Sequence, residues 1–339
     1  MKRAFTTLLF TMLVITACSP QSGEGENAAS DTASSESAQV LNDSENGAAA
    51  ADESQAVIEA PAPNPNGEKV WRIHPQWQWN GPNITYYERI GDHSSIVVID
   101  QDGNVVSRFE TGPGYAANPS WNELDNEIVY TKAEGGMGGD WNIWKAAADG
   151  SSAIQFIDVE DRAMHTAWDP TGAMIAFVQM MDTGAQIVMG NPKTGVTRQI
   201  TSDEGDRFHP KWLDTSLFLI YDKTLNGQSQ ICQANVFRRE ETCMFAVDGQ
   251  RVSTPAASRN GAIIAFSMRE DKEGATSDIW LYQIENESFF QLTDTPDESE
   301  SAPYWSPDGR WIVFHSDQGG EYNIHRIRTD KTGRRQLTQ

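Results

Sequence analysis

The chain has 339 residues, 38% of them hydrophobic, with a formal net charge of −22. So acidic a chain repels phosphate backbones, which argues against nucleic acid as a partner and for charge as a source of solubility. The length allows one large domain or two ordinary ones.

In chain order, Lys2 and Arg3 form a positive start, and Leu8 to Ile15 form an apolar run too short to span a bilayer. Ile15-Thr16-Ala17-Cys18 follows, with small residues before the cysteine. This resembles the lipobox of bacterial lipoproteins. The resemblance implies a signal peptide over 1–17, cleavage before Cys18 and acylation of its thiol and new amine. Buried methylenes contribute about 0.8 kcal/mol each, so several acyl chains on one residue anchor stably. Ser19 stands where an Asp would mark inner-membrane retention in Gram-negative lipoproteins, which implies an outer-membrane location facing the periplasm.

Residues 18–67 read as a disordered acidic tether. They are rich in Ser, Ala, Gly, Asn, Glu and Asp; between 19 and 70 ten acids face one base, Lys69. Such a segment buries too little apolar surface to offset its ordering entropy. A chain of this length reaches roughly 40 Å.

Residues 68–339 repeat. Trp77, Trp121, Trp168, Trp212 and Trp305 sit in similar contexts, and Ser258 is read as filling the remaining gap. An aromatic follows each (Tyr86, Tyr130, Phe177, Tyr221, Phe266, Phe314), then an isoleucine (Ile96, Ile143, Ile187, Ile231, Ile279, Ile324). Asp102-Gly103, Asp149-Gly150 and Asp308-Gly309 mark turns. Each unit reads as four short strands, and four-stranded units at this period are propeller blades. The expected fold is all-β: one six-bladed propeller, its recurrent aromatics packed between sheets rather than stacked on a ligand.

The last unit, Ala302-Pro303-Tyr304-Trp305-Ser306-Pro307-Asp308-Gly309, resembles the WD-like repeats of the TolB β-propeller superfamily, over about 270 residues. TolB itself carries an α/β domain before its propeller; here a lipid and a tether take that place. The peptidases that share such a propeller fit poorly, because Gly-x-Ser-x-Gly is absent. Walker and dinucleotide loops are absent too, no cofactor is implied, and an enzyme is not the favoured reading.

With Cys18 acylated, Cys232 and Cys243 remain as an even pair in an oxidising compartment. A hairpin turning at Phe237-Arg238 sets them directly opposite, so a disulfide within blade four is expected.

His74, His165 and His209 each fall three residues before a repeat Trp; Asn118, Pro255 and Ala302 take that place in the other units. These positions are expected at one level beside the channel, with the three histidines well apart around the ring. Arg72, Arg207 and Glu300 are expected on the same side, as are longer loops between strands two and three: His93, Gly135 to Asp140, Asp222 to Ser229, and Arg269 to Ser277. Loops on a rigid scaffold commonly carry binding.

The leading expectation is a membrane-tethered, non-enzymatic, monomeric propeller. It binds a protein partner or envelope component through His74, Asn118, His165, His209, Arg72, Arg207 and Glu300. One alternative is a purely structural surface protein. The other is a metal-dependent polysaccharide lyase, since oligogalacturonate lyases resemble this chain in repeat type and hold a divalent metal; His74, His165 and His209 would then be ligands.

Overall fold

A computed structural model describes residues 67–111, 115–122, 126–134, 139–159, 162–213 and 216–339. The proposed signal peptide, Cys18, the tether through residue 66 and the glycines at 135–138 lie outside the described residues.

The described residues form six four-stranded antiparallel sheets, each a meander in sequence order. Blade one runs from Val70 to Glu110, blade two from Tyr115 to Ile157, blade three from Ala163 to Gln199. Blade four runs from Asp206 to Phe245, blade five from Gln250 to Gln291, and blade six from Glu300 to Gln336. The first strands of successive blades touch around a closed ring, blade six against blade one included. The six-bladed propeller expected from the repeats is therefore the fold.

The repeat positions explain themselves in this frame. The five repeat tryptophans, the six aromatics and the six isoleucines are all buried. Trp212 Nε1 donates to the Ala167 carbonyl at 2.9 Å and Trp305 Nε1 to that of Ala256 at 3.0 Å, each reaching into the preceding blade. In blades four and six the indole thus fills the inter-sheet gap and satisfies its polar atom.

Blade five corrects the sequence register by one residue. Its first strand aligns Thr254-Pro255-Ala256-Ala257 with His74-Pro75-Gln76-Trp77, so Ala257, not Ser258, stands where the other blades have Trp, and Thr254, not Pro255, where they have His. Ser258 instead caps the following turn, donating to Asn260 and accepting from the Ile263 amide. The space an indole would fill beside blade four is taken by aromatics. Phe245 packs 4.3 Å from Tyr282 and 5.0 Å from Phe266, between ring centroids.

The ring closes without exchanging a strand. The Arg72 amide donates to the Tyr322 carbonyl at 3.1 Å, and Trp71 stacks on Tyr322 at 4.9 Å. Arg326 and Arg335 of blade six donate to the carbonyls of Gln101 and Asp102 in a blade-one turn. Gly103 in that turn has φ +92°, and a Cβ there would sit 2.3 Å from the Leu337 carbonyl oxygen.

Cys232 and Cys243 are direct cross-strand partners and are joined by a disulfide. The reason is the symmetry expected from the sequence: Asn235 pairs with Glu240, so the hairpin centres on Phe237-Arg238.

The loops between strands two and three are shorter than expected in half the blades. Asp222 to Ser229 is mostly strand: Phe218–Leu225 and Gln228–Asn235 flank a two-residue Asn226-Gly227 turn, both residues at positive φ. That is the primed turn whose twist matches a hairpin. Blades one and three turn equally tightly, after Ile90 and Met181. Residues 271–276 and 317–322 make the longer described connections.

Candidate binding site in the channel

Each blade's first strand carries a bulge at the same place. The ladder skips two residues on strand one opposite one on strand two: His74-Pro75 against Tyr86, Asn118-Pro119 against Tyr130, His165-Thr166 against Phe177. Blades four to six repeat it with His209-Pro210, Thr254-Pro255 and Ala302-Pro303. Proline suits this place because a bulge residue needs no ladder N–H. The first residue of each bulge pair lies at φ between 51° and 55° in all six blades, and proline follows it in every blade but the third, which has Thr166. Histidine and asparagine are enriched several-fold in that left-handed region, which accounts for three His and one Asn here.

The bulges project these side chains into the channel, and the histidines converge rather than standing apart. Ring centroids are 4.1 Å apart for His165 and His209, 5.8 Å for His74 and His209, and 6.0 Å for His74 and His165. Six first strands leave a channel narrow enough for side chains of separate blades to meet. His315, which the repeat pattern did not single out, joins them at 5.7 Å from His74, its Nδ1 accepting from the His74 amide. Its only sequence signal was its place directly after the strand-two aromatic Phe314, the position that Asp222 holds after Tyr221.

His74, Asn118, His165, His209, Lys211, Thr254 and Tyr304 help to line a small cavity of roughly 30 Å³. Burial, with the neighbouring bases His315, His209 and Lys211, holds His74 well below the usual histidine range. Burial and the same kind of neighbours do so for His165. Burial pushes Lys211 down to about 8 and His315 down to about 3. His209 Nδ1 sits 2.7 Å from Asp222 Oδ1, which fixes a proton on that nitrogen. His165 Nδ1 is buried without a hydrogen-bond partner.

Trp79 lines an adjoining cavity with Lys211, Tyr304, Trp121, Trp168 and Trp212. Asn80 beside it accepts from Arg259 of blade five at 3.1 Å, so the blade-one turn reaches past blade six.

No group of three His, Cys, Asp or Glu among the described residues is placed to hold a metal. The rings of His74 and His165 are 15° from parallel, with centroids 6.0 Å apart.

Arg72, Arg207 and Glu300 are buried, not presented at a surface. Arg72 donates to Glu88 at 2.7 Å and to Asn323 of blade six at 2.9 Å. Arg207 donates to both carboxylate oxygens of Glu241. Arg334 Nη2 lies 2.9 Å from Glu300 Oε1, yet neither Glu300 oxygen has a well-directed hydrogen bond. Burial pushes the Glu300 carboxyl up to about 7. A carboxyl raised this way contributes stability that is complete below the unfolded value near 4.5 and is lost as pH rises through about 7. In Glu300→Gln that dependence vanishes. The stability difference between wild type and variant should therefore change by about 3 kcal/mol between pH 4.5 and 7 in urea titrations. A difference constant with pH would show that Glu300 is already ionised in the native state.

No family model matches this sequence. Solved structures do share its fold. A TolB structure from Agrobacterium tumefaciens superposes with a TM-score of 0.57 at 17% identity, over 69% of this chain and 83% of that one. TolB from Acinetobacter baumannii gives 0.53 at 18%, over 76% and 69%. An oligogalacturonate lyase from Vibrio parahaemolyticus gives 0.52 at 10%, over 77% and 91%. Identities this low speak for the fold alone.

Proposed function

We propose that this TolB-like six-bladed propeller is a non-enzymatic protein of the cell envelope that binds a protein partner or another envelope component at its channel mouth. A lipid on Cys18 and the tether of residues 18–67 would hold it to a membrane, the outer one by the Ser19 signal. The observation that supports binding most is the channel itself: six equivalent bulges, four bearing His or Asn, open into one cavity. Structural needs alone do not require imidazoles there, since Ala302 occupies the same left-handed position in blade six.

The test replaces His74, His165 and His209 together by Asn, the residue blade two uses at this place. Partner recovery by in-cell photo-crosslinking from the mouth should fall at least about tenfold, a loss of about 1.4 kcal/mol or more. The melting temperature should stay within a few degrees, because channel side chains contribute little core area. Unchanged recovery with a folded triple variant would place binding elsewhere.

Anchoring has its own test. Cys18→Ser should release the protein from membranes, and mass spectrometry of the wild type should find acyl mass on Cys18. Membrane partition unchanged by the substitution would remove the anchor from this reading.

A further inference from the structure

The chemistry of the channel wall narrows the ligand, on the premise that the channel mouth is the binding site. We propose that the cavity takes a single carboxylate side chain, Asp or Glu, from a protein partner, and that its capture is coupled to proton uptake by the channel histidines.

None of the residues lining the cavity is an acid, in a chain whose net charge is −22. The groups facing it come from every blade: His74, Asn118, His165, His209 with Lys211, Thr254, and Ala302 with Tyr304. Behind them stand His315, whose Nδ1 accepts from the His74 amide, and Asp222. Asp222 is already engaged, with its Oδ1 taken by His209 and by the Thr254 amide at 3.0 Å. Asp169, in the lining of the adjoining cavity, is likewise held by Thr171 and the Met174 amide. The charged neighbours that act on His74 and His165 are all bases.

Lys211 is the cation of this site. No carboxylate among the described residues pairs with it; its ammonium instead lies 5.4 Å from the Tyr304 ring centroid. A desolvated ammonium with only an aromatic face for a partner is held at a cost, and that cost lowers its affinity for the proton to about 8. An entering carboxylate restores the missing counter-charge. It also favours the protonated form of His74 and His165, which burial otherwise keeps neutral. Binding therefore takes up protons, and affinity rises as pH falls.

The shape selects one side chain rather than a sugar chain. The cavity is small, roughly 30 Å³. A sugar ring is too large for it, whereas the tip of one acidic side chain on a partner's loop is of that order.

The experiment titrates the full-length protein with acetyl-Ala-Glu-Ala-amide, its Gln analogue and galacturonate, followed by calorimetry and by the imidazole NMR signals. The Glu peptide should bind at least about tenfold tighter than the Gln analogue, and at least about tenfold tighter at pH 6 than at pH 8. The His74 and His165 signals should titrate about one unit higher or more in its presence. Lys211→Met should lose about tenfold or more in affinity. The NMR titration of wild type decides the matter even if that variant does not fold.

Equal binding of the Glu and Gln peptides, affinity independent of pH, or full affinity in a folded Lys211→Met would each overturn the proposal. Preference for galacturonate would hand the site to a saccharide. If the mouth crosslinks a partner but no carboxylate binds, this inference fails and the proposed function stands. If the carboxylate binds but no partner is crosslinked there, the proposed function fails instead.

Discussion

Replacing Arg207 by Ala should cost the propeller about 3–5 kcal/mol, because it strips a buried charge network of its central cation. Arg207 is fully buried. Its guanidinium donates to Glu241 Oε1 at 2.8 Å and Oε2 at 3.1 Å. It also donates to Gln186 of blade three at 3.1 Å and to the carbonyls of Asp203 and Gly205 at 2.9 and 2.8 Å. The variant leaves those carbonyls without that donor and leaves Glu241 to Lys223 and Tyr221.

Burial alone would raise the Glu241 carboxyl, but hydrogen bonds from Arg207, Lys223 and Tyr221 overcome it and hold the group down at about 2. A depressed carboxyl contributes stability that is present above about 4.5 and lost as pH falls toward 2. Part of that acid sensitivity should disappear with Arg207. Urea midpoints at pH 7 and pH 3 for wild type, Arg207→Ala and the double variant Arg207→Met/Glu241→Leu check this. The double variant should recover only part of the loss, since it removes the under-paired Glu241 carboxylate but leaves the buried Lys223 ammonium without its partner. If it is as unstable as the single variant, shape rather than charge governs the site.

Gly103→Ala should open the seam between blades six and one, at a cost of about 2–4 kcal/mol. Two penalties combine there: the left-handed φ of +92° and a Cβ 2.3 Å from the Leu337 carbonyl oxygen, which is backbone and cannot swing away. The turn must shift, and with it the acceptors of Arg326 and Arg335. Gly261→Ala is the control, with φ +67° and nothing within 4 Å of the added carbon. It should cost only the backbone strain, roughly 1–2 kcal/mol. Thermal melts that rank the two variants equally would show that the seam yields freely.

The aromatics and isoleucines of the repeat were readable because each blade solves the same packing problem with the same residue types. The Cys232–Cys243 pairing was readable because hairpin symmetry is a local property. Blade five misled because its landmark is missing. With Ala257 in the tryptophan position, nothing in the local sequence separates it from Ser258, and only the pairing of Ala257 with Ile264 settles the register. The turn at Asn226-Gly227 carried its own signal, yet the polar run around it reads as loop. Its polar side chains serve the channel and the neighbouring blade: Asp222 holds His209 and the Thr254 amide, and the Ser229 hydroxyl accepts from the Val252 amide.

The sequence by itself determined the number of blades, the strands within each, the buried faces and the level at which His74, Asn118, His165 and His209 lie. All of these follow from alternation and repetition along the chain. Tertiary structure decided what those side chains do at that level. Distance across the ring depends on blade number and on the left-handed bulge, neither of which acts within one repeat. The same holds for Arg72, Arg207 and Glu300, which by position enter on the channel side but are buried in contacts between strands and blades. A charged residue's partner across a blade seam is separated from it by dozens to hundreds of residues, 251 for Arg72 and Asn323. Only closing the ring brings them together.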